Sequence, residues 1–227
     1  MVKELDFNPD RKFIYVEQAF FQRWYAEQST VTQTKVKGLV ASGQLEMING
    51  GWSMHDEAAP SFGDMIDNTA LGHRFLLQEF NVTPRTTWQI DPFGHSGFQA
   101  SMMSSPIAGF NAVYFARDDW QEQGQREKNK TTEMIWAPSS SLGMNGATFA
   151  GVLYGGYCTI GGIDMSIYSN DTPLMDDPTL EDFNVAAVVD GVVSHVADAI
   201  SKYPNGEPGG DGTMDVMFPL GCDFGAC

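Results

Sequence analysis

The chain has 227 residues, with 13 Lys and Arg against 29 Asp and Glu, for a formal net charge of −16. Hydrophobic residues make up 42% and aromatics 12%, the apolar mass that disordered chains lack, so a single folded domain with a sizeable core is expected. The acidic balance excludes the basic footprint needed to hold nucleic-acid phosphates or an anionic lipid surface.

In chain order, Lys12 to Glu17 is a short β-rich run, and Ala19 to Glu27 has a helical pattern. Thr30 to Val40 is a second helix, with Ser29 or Thr30 available as N-cap and Gly43 as its terminator. Leu45 to Ile48 reads as a strand running into Asn49-Gly50-Gly51-Trp52. A long helix follows from Phe62 to Phe80, with Ile66, Leu71, Phe75, Leu76 and Phe80 tracing one face. Thr86 to Ile90 is a third strand, Gly97 to Ile107 a helix and Ala112 to Phe115 a fourth strand. Repeated strand–helix units imply an α/β fold built on a parallel sheet, open or closed into a barrel.

Residues 121–178 are rich in Gly, Ser, Asn and Pro and read as a loop-rich insertion. Helical order returns from Leu180 to Lys202, followed by a Gly209-Gly210-Asp211-Gly212 turn and a final strand from Met214 to Leu220. No covering helix follows that strand, and the chain opens almost directly into its first one, so both ends read as cut.

The charge is uneven. Residues 1–130 hold 12 basic and 16 acidic groups, whereas from Thr131 onward Lys202 stands against 13 acidic residues, the pattern of a solvated acidic surface. Cys158, Cys222 and Cys227 form no CxxC pair and no zinc-finger spacing, so their disulfide status stays open. Sequons at Asn81, Asn129 and Asn170 weakly suggest a lumenal or secreted setting. No apolar run approaches a membrane span and no signal peptide is visible.

In parallel α/β architectures ligands bind beyond the carboxyl ends of the strands. The groups there are Glu17, then Asp56 and Glu57, then Asp91 and His95, then Arg117, Asp118 and Asp119, and finally Asp223. Repeated carboxylates beside Trp52, Phe93 and Trp120 suit a sugar site, where ring faces stack and carboxyl groups do acid–base work. Each also has a structural role to fill. Glu17 and Glu57 read equally as loop carboxylates or caps, His95 as a residue that orients a loop, and Trp52 as packing for the Gly-Gly turn. His55, His73 and His195 lack ligand spacing. Asp91 stands out because it ends a strand just before Pro92, with Gly94 permitting a tight turn.

Several blocks carry a resemblance. Arg11 to Glu17, the Ala19-Phe20-Phe21 to Trp24 stretch, Gly50-Gly51-Trp52-Ser53-Met54-His55-Asp56-Glu57-Ala58 and Trp88-Gln89-Ile90-Asp91-Pro92-Phe93-Gly94-His95-Ser96 resemble glycoside hydrolase family 38, in particular its lysosomal-type α-mannosidases. The resemblance implies a partial N-terminal catalytic domain over residues 1–227, with an incomplete parallel-strand (β/α) barrel. It further implies a retaining exo-α-mannosidase that removes terminal mannose from an oligosaccharide or glycoprotein glycan in a lysosomal, vacuolar or secretory lumen. By the same resemblance Asp91 is nucleophile and zinc ligand, Asp223 acid/base, and Phe93 and Arg117 substrate contacts.

The sequence departs from the family at the metal. The implied Zn2+ site needs a His-x-Asp pair and a further His, and no His-x-Asp occurs here; of those ligands only Asp91 is present. The 227-residue chain by itself is therefore expected to be inactive, as a piece of a longer α-mannosidase. A non-catalytic, sugar-binding remnant is the other reading, and a metal-dependent deacetylase on a similar barrel is argued against by the Asp91 block.

Overall fold

Polar side chains set the ends of the main helices in the computed structural model, which describes residues 1–158 and 174–203 together with Met217 and Pro219. The strands are β1 (Phe13–Tyr15), β2 (Leu45–Met47), β3 (Thr86–Gln89), β4 (Ala112–Phe115), β5 (Glu133–Trp136) and β6 (Thr148–Val152). The helices are α1 (Val2–Phe7), α2 (Gln18–Ala26), α3 (Thr30–Ala41), α4 (Phe62–Phe80), α5 (Gly97–Met103), α6 (Trp120–Asn129) and α7 (Val185–Lys202). Ser29 caps α3 by accepting from the Thr32 N–H, and Ser61 caps α4 by accepting from that of Asp64, each cap contributing about 1 kcal/mol. Asn81 ends α4 in the left-handed conformation, a position Asn tolerates.

The chain divides into two compact units, one of residues 1–115 and 135–150, the other of residues 116–134 and 151–227. In the first, β1 pairs with β2 and β3 with β4, both parallel. The described strands form two sheets, β1-β2 and β3-β4-β6-β5. Asn49 joins them: with φ +55, its N–H donates to the Thr86 carbonyl at 2.6 Å, while its side-chain oxygen accepts from the Trp88 N–H at 3.3 Å. One asparagine thus continues the hydrogen bonding where β2 itself has ended.

The core of this unit gathers Leu5, Val36, Leu39, Leu45, Met47 and Leu76 around Phe21. Phe21 meets the rings of Tyr15, Trp24, Tyr25, Phe75 and Phe80, with centroids 5.3–6.4 Å apart, a geometry that adds to simple area burial.

Helix α4 has the predicted bounds, and Phe75, Leu76 and Phe80 of its predicted face do pack in the core, but the rest of its inner face differs. Met65, Thr69, Gly72 and Leu76 are buried, whereas Ile66 and Leu71 are exposed. The reason is what the helix meets: not an apolar sheet face but the bare backbone of the Gly50-Gly51 turn. A Cβ on Gly72 would stand 2.0 Å from the Gly50 carbonyl oxygen, and one on Gly50, where φ is +74, would stand 2.4 Å from Pro84. His73 adds a hydrogen bond, its Nε2–H donating to the Asn49 carbonyl at 3.0 Å. Small residues and one imidazole are what so close an approach requires.

Other elements differ where a local signal was overridden. Helix α5 ends at Met103 rather than Ile107, since Pro106 disfavours helix at Ser105, and Ile107 is left 99% exposed. The stretch expected to be loop-rich carries α6, β5, a 3-10 turn at Gly143–Gly146 and β6. Helix α7 starts at Val185, five residues later than its apolar pattern suggests. Helix α1 went unforeseen; Leu5 packs into the core, and the Gln44 amide donates to the carbonyls of Leu5 and Asn8. In the second unit α6 packs on α7, and Tyr154 donates its hydroxyl proton to Asp198 at 2.5 Å. That bond pushes the Tyr154 phenol up to about 12.

Two kinds of outcome follow from the packing of these helices. Gly72→Ala gains about 1 kcal/mol of helix propensity but forces backbone apart, and overpacking costs of 1–3 kcal/mol or more win; thermal unfolding is expected to show a net loss of roughly 2 kcal/mol. Gly38→Ala in α3, where a Cβ meets nothing within 4 Å, is expected to gain about 0.5–1 kcal/mol. The second outcome concerns pH. Burial pushes the His73 imidazole below its ordinary value, outweighing the hydrogen bond to Asn49. The unfolded chain then binds the proton more readily, so this contribution to stability is whole above the ordinary histidine range. It is lost as pH falls through that range toward the lowered value. Denaturant unfolding between about pH 7.5 and 5 is expected to show this slope, below the limit of about 1.4 kcal/mol per pH unit for one proton, and His73→Gln is expected to flatten it.

Candidate active site

The loop after β2 is where the strand ends of the first unit meet. Glu17, just past β1, accepts from the Met54 N–H at 2.9 Å. Asn68 of α4 clasps the same loop, its side chain accepting from the Ser53 N–H at 3.2 Å and donating to the Ser53 carbonyl at 2.9 Å. His55 is buried. Its Nδ1 lies 3.0 Å from Gln99 Oε1, its Nε2 3.3 Å from the Thr69 hydroxyl, and its backbone N–H donates to Gln89 Oε1 at 3.2 Å. Asp56 is exposed and folds back on its own turn, accepting from the N–H groups of Ala58 and Ala59. A cavity of about 470 Å³ opens here, lined by Met54, His55, Asp56, Asp64, Met65 and Asn68 among others. A larger one, about 970 Å³, lies among α1, β1, α2 and α3 and is lined by none of the candidate site residues.

Glu57 reaches from this loop to the segment after β3. Its Oε1 accepts from His95 Nδ1 at 3.1 Å and its Oε2 from the Ser96 N–H at 2.6 Å, with the side chain only 3% exposed. His95 therefore orients its loop by hydrogen bonding, and its ring also packs 4.4 Å from that of Phe115. Asp91 is exposed at the end of β3 while Pro92 beside it is buried. Phe93 is 86% exposed. Gly94 turns at φ +136, open to glycine and strained for other residues. Ser96 then caps α5 by accepting from the Phe98 N–H.

The remaining expected groups belong to the second unit. Arg117 donates to the Tyr157 hydroxyl at 2.7 Å. Asp119 caps α6 by accepting from the N–H groups of Gln121 and Glu122, and Asp118 lies 3.7 Å from Arg126. Cys158 is disulfide-bonded. Asp223, Cys222 and Cys227 lie outside the described residues, as does the expected final strand apart from Met217 and Pro219. Among the described residues no three His, Cys, Asp or Glu side chains gather to hold a metal ion. The donors described therefore do not fit the zinc site that the sequence resemblance implies, and no step below is routed through a metal.

A model of the glycosyl hydrolases family 38 N-terminal domain matches residues 1–226. The chain belongs to glycoside hydrolase family 38. It is 48% identical over 218 residues to a "probable alpha-mannosidase" of Arabidopsis thaliana, covering 95% of this chain and 20% of that protein. It is 45% identical to an alpha-mannosidase of Canavalia ensiformis, covering 99% of this chain and 22% of the relative. It is 40% identical to the lysosomal alpha-mannosidase of Homo sapiens, covering 96% and 21%. The chain thus spans about a fifth of the length of these relatives. Among solved structures, an alpha-mannosidase from Enterococcus faecalis V583 superposes with a TM-score of 0.60 at 17% identity, over 89% of this chain and 20% of that one. That likeness speaks to the fold alone.

This family 38 chain also uses residues that sequence reasoning passed over. Gln89 and Gln99 are buried, and each offers its side-chain oxygen to His55 while its amide nitrogen finds no partner among the described residues. The available signal was a glutamine two residues before Asp91 in a strand buried on both faces, where an apolar residue is the default. Asn68 and Thr69 were hidden by the apolar stripe assigned to α4.

Gln99→Met keeps the volume and removes the acceptor from the buried His55 Nδ1. It is expected to cost about 1–3 kcal/mol, the penalty of an unsatisfied buried donor, measured by denaturant unfolding.

Proposed function

We propose that this chain is part of the N-terminal catalytic domain of a retaining exo-α-mannosidase acting on terminal α-linked mannose of oligosaccharides or glycoprotein glycans, and that it is inactive by itself. The observation that carries the reading is the Asp91-Pro92-Phe93-Gly94-His95-Ser96 block, which follows a parallel strand in a chain of family 38. The curated relatives at 40–48% identity named as alpha-mannosidases support it. The fold proposed for the whole enzyme is a (β/α) barrel to which β1–β4 contribute. A lysosomal or vacuolar lumen is the compartment proposed, from relatives named as lysosomal. No helix among the described residues is long and apolar enough to cross a membrane.

The chemistry proposed is a double displacement. A carboxylate oxygen of Asp91 attacks the anomeric carbon as the bond to the leaving oxygen breaks, and Asp223 gives that oxygen its proton. Water then attacks the same carbon, releasing Asp91, and returns a proton to Asp223. Such a pair works with its carboxyl groups about 5–5.5 Å apart. Phe93, an exposed ring beside the nucleophile, offers a face to the sugar, and Arg117 is proposed as a polar contact to it. Zinc is the family's implied cofactor with Asp91 as one ligand; the described donors do not make up its site.

The test is Asp91→Asn in the protein made from the full coding sequence that contains this chain. Turnover of an aryl α-mannoside is expected to fall by a factor on the order of 10³ or more. A fluorinated α-mannosyl fluoride, which traps the glycosyl-enzyme, is expected to label Asp91 in the unmodified protein, read by peptide mass spectrometry. Labelling elsewhere would reject the assignment.

A further inference from the structure

We infer that Glu57 is a positioning residue for the nucleophile, tethering the far end of the loop that carries Asp91. The inference rests on the reading of Asp91 given above and adds to it a residue that never meets the substrate.

Three observations carry it. First, the Asp91 loop forms no helix or strand between β3 and α5 and turns at Gly94, so its course depends on how its two ends are held. Its near end is fixed by the buried residues Thr87, Trp88 and Gln89 of β3. Its far end is fixed by Glu57, whose two oxygens accept from the two successive residues His95 and Ser96. The contact to the Ser96 N–H is short, at 2.6 Å, as hydrogen bonds to a carboxylate tend to be.

Second, Glu57 is almost wholly buried. A carboxylate so placed is unfavourable unless its oxygens are satisfied, and both are taken up by the Asp91 loop. Asp56 next to it is exposed and serves only its own turn, so proximity in sequence does not confer the role. Third, the loop that supplies Glu57 is itself held, by Glu17 at Met54, by Gln89 at His55 and by Asn68 at Ser53. The tether is therefore anchored at both ends, and it transmits the position of one strand-end loop to the next.

A displacement of about 1 Å in a reacting group costs on the order of 10²-fold in rate. Glu57→Gln replaces one acceptor oxygen by an NH₂ that faces a donor; Glu57→Asp keeps both oxygens on an arm one methylene shorter. In the protein made from the full coding sequence, Glu57→Gln is expected to lower kcat for an aryl α-mannoside about 10²-fold with KM changed less than about 3-fold. The rate at which the fluorinated α-mannosyl fluoride labels Asp91 is expected to fall in parallel. Glu57→Asp is expected to recover part of both rates, and its rates decide the question if the Gln variant does not fold. Wild-type kcat and labelling rate in a folded Glu57 variant would overturn the inference, as would a loss confined to KM or to thermal stability. Full turnover by Asp91→Asn would instead sink the underlying reading of Asp91, independently of what Glu57 does.

Discussion

Much of the first unit depends on a single contact, that between the Asn49-Gly50-Gly51 turn and helix α4. The turn brings bare backbone against the helix at Gly72, where no room remains for a methyl group. In the same three residues Asn49 spends its N–H and its side-chain oxygen on β3, and its carbonyl on His73. One left-handed residue thereby sets where β2 stops, how β3 aligns beside it and how closely α4 approaches. The loop leaving the turn carries Met54, His55 and Glu57, and the strand it aligns carries Asp91. Their relative placement follows from the packing of glycines well below them.

Above that contact the material changes from apolar to polar, and the change has a reason. A strand end that presents an exposed carboxylate cannot be covered by apolar side chains alone, because its backbone and its neighbouring loops bring N–H groups that need acceptors. Gln89, Gln99, Glu17 and Glu57 supply those acceptors. Neutral amides serve the deepest positions, at the two buried glutamines, where an added charge would be costly. The carboxylates serve N–H groups nearer the surface, and Glu57, whose side chain is almost wholly buried, has two donors. Solvation, more than charge pairing, decides which acceptor stands where.

Much of this was legible in the sequence wherever a signal was local. Ser29 marked a helix start, the spacing of apolar residues bounded α4, and Asp91 was singled out by its place between a strand and Pro92. The resemblance to family 38 was equally local, carried by short blocks. What could not be read was which groups meet across the fold. Ile66 and Leu71 have the right spacing for a core face, yet the helix turns Thr69 and Gly72 inward, since the partner is a turn and not a sheet. Glu57 looked like any loop carboxylate until the fold brought it to His95 and Ser96, 38 and 39 positions along the chain. Helix α6, polar all round and without a buried residue, gave no amphipathic signal and was read with the loops around it.

The arrangement around Asp91 resolves two demands that oppose each other. On the proposed reading Asp91 is the nucleophile; such a group has to be open to its substrate, and Asp91 is exposed. Yet a nucleophile also has to keep one orientation, because a displaced reacting group loses rate. Burial is the usual remedy for mobility, but it would remove the group from the sugar. The structure separates the two demands by position along the chain: Gln89 and Pro92 are buried on either side of Asp91, and His95 and Ser96 are fixed by Glu57. Only Asp91, Phe93 and Gly94 are left facing outward. On that reading, rigidity is supplied by residues other than those that would meet the substrate. For that reason changes to the glutamates and glutamines beneath the loop are expected, on the proposed reading, to bear on catalysis as well as on stability.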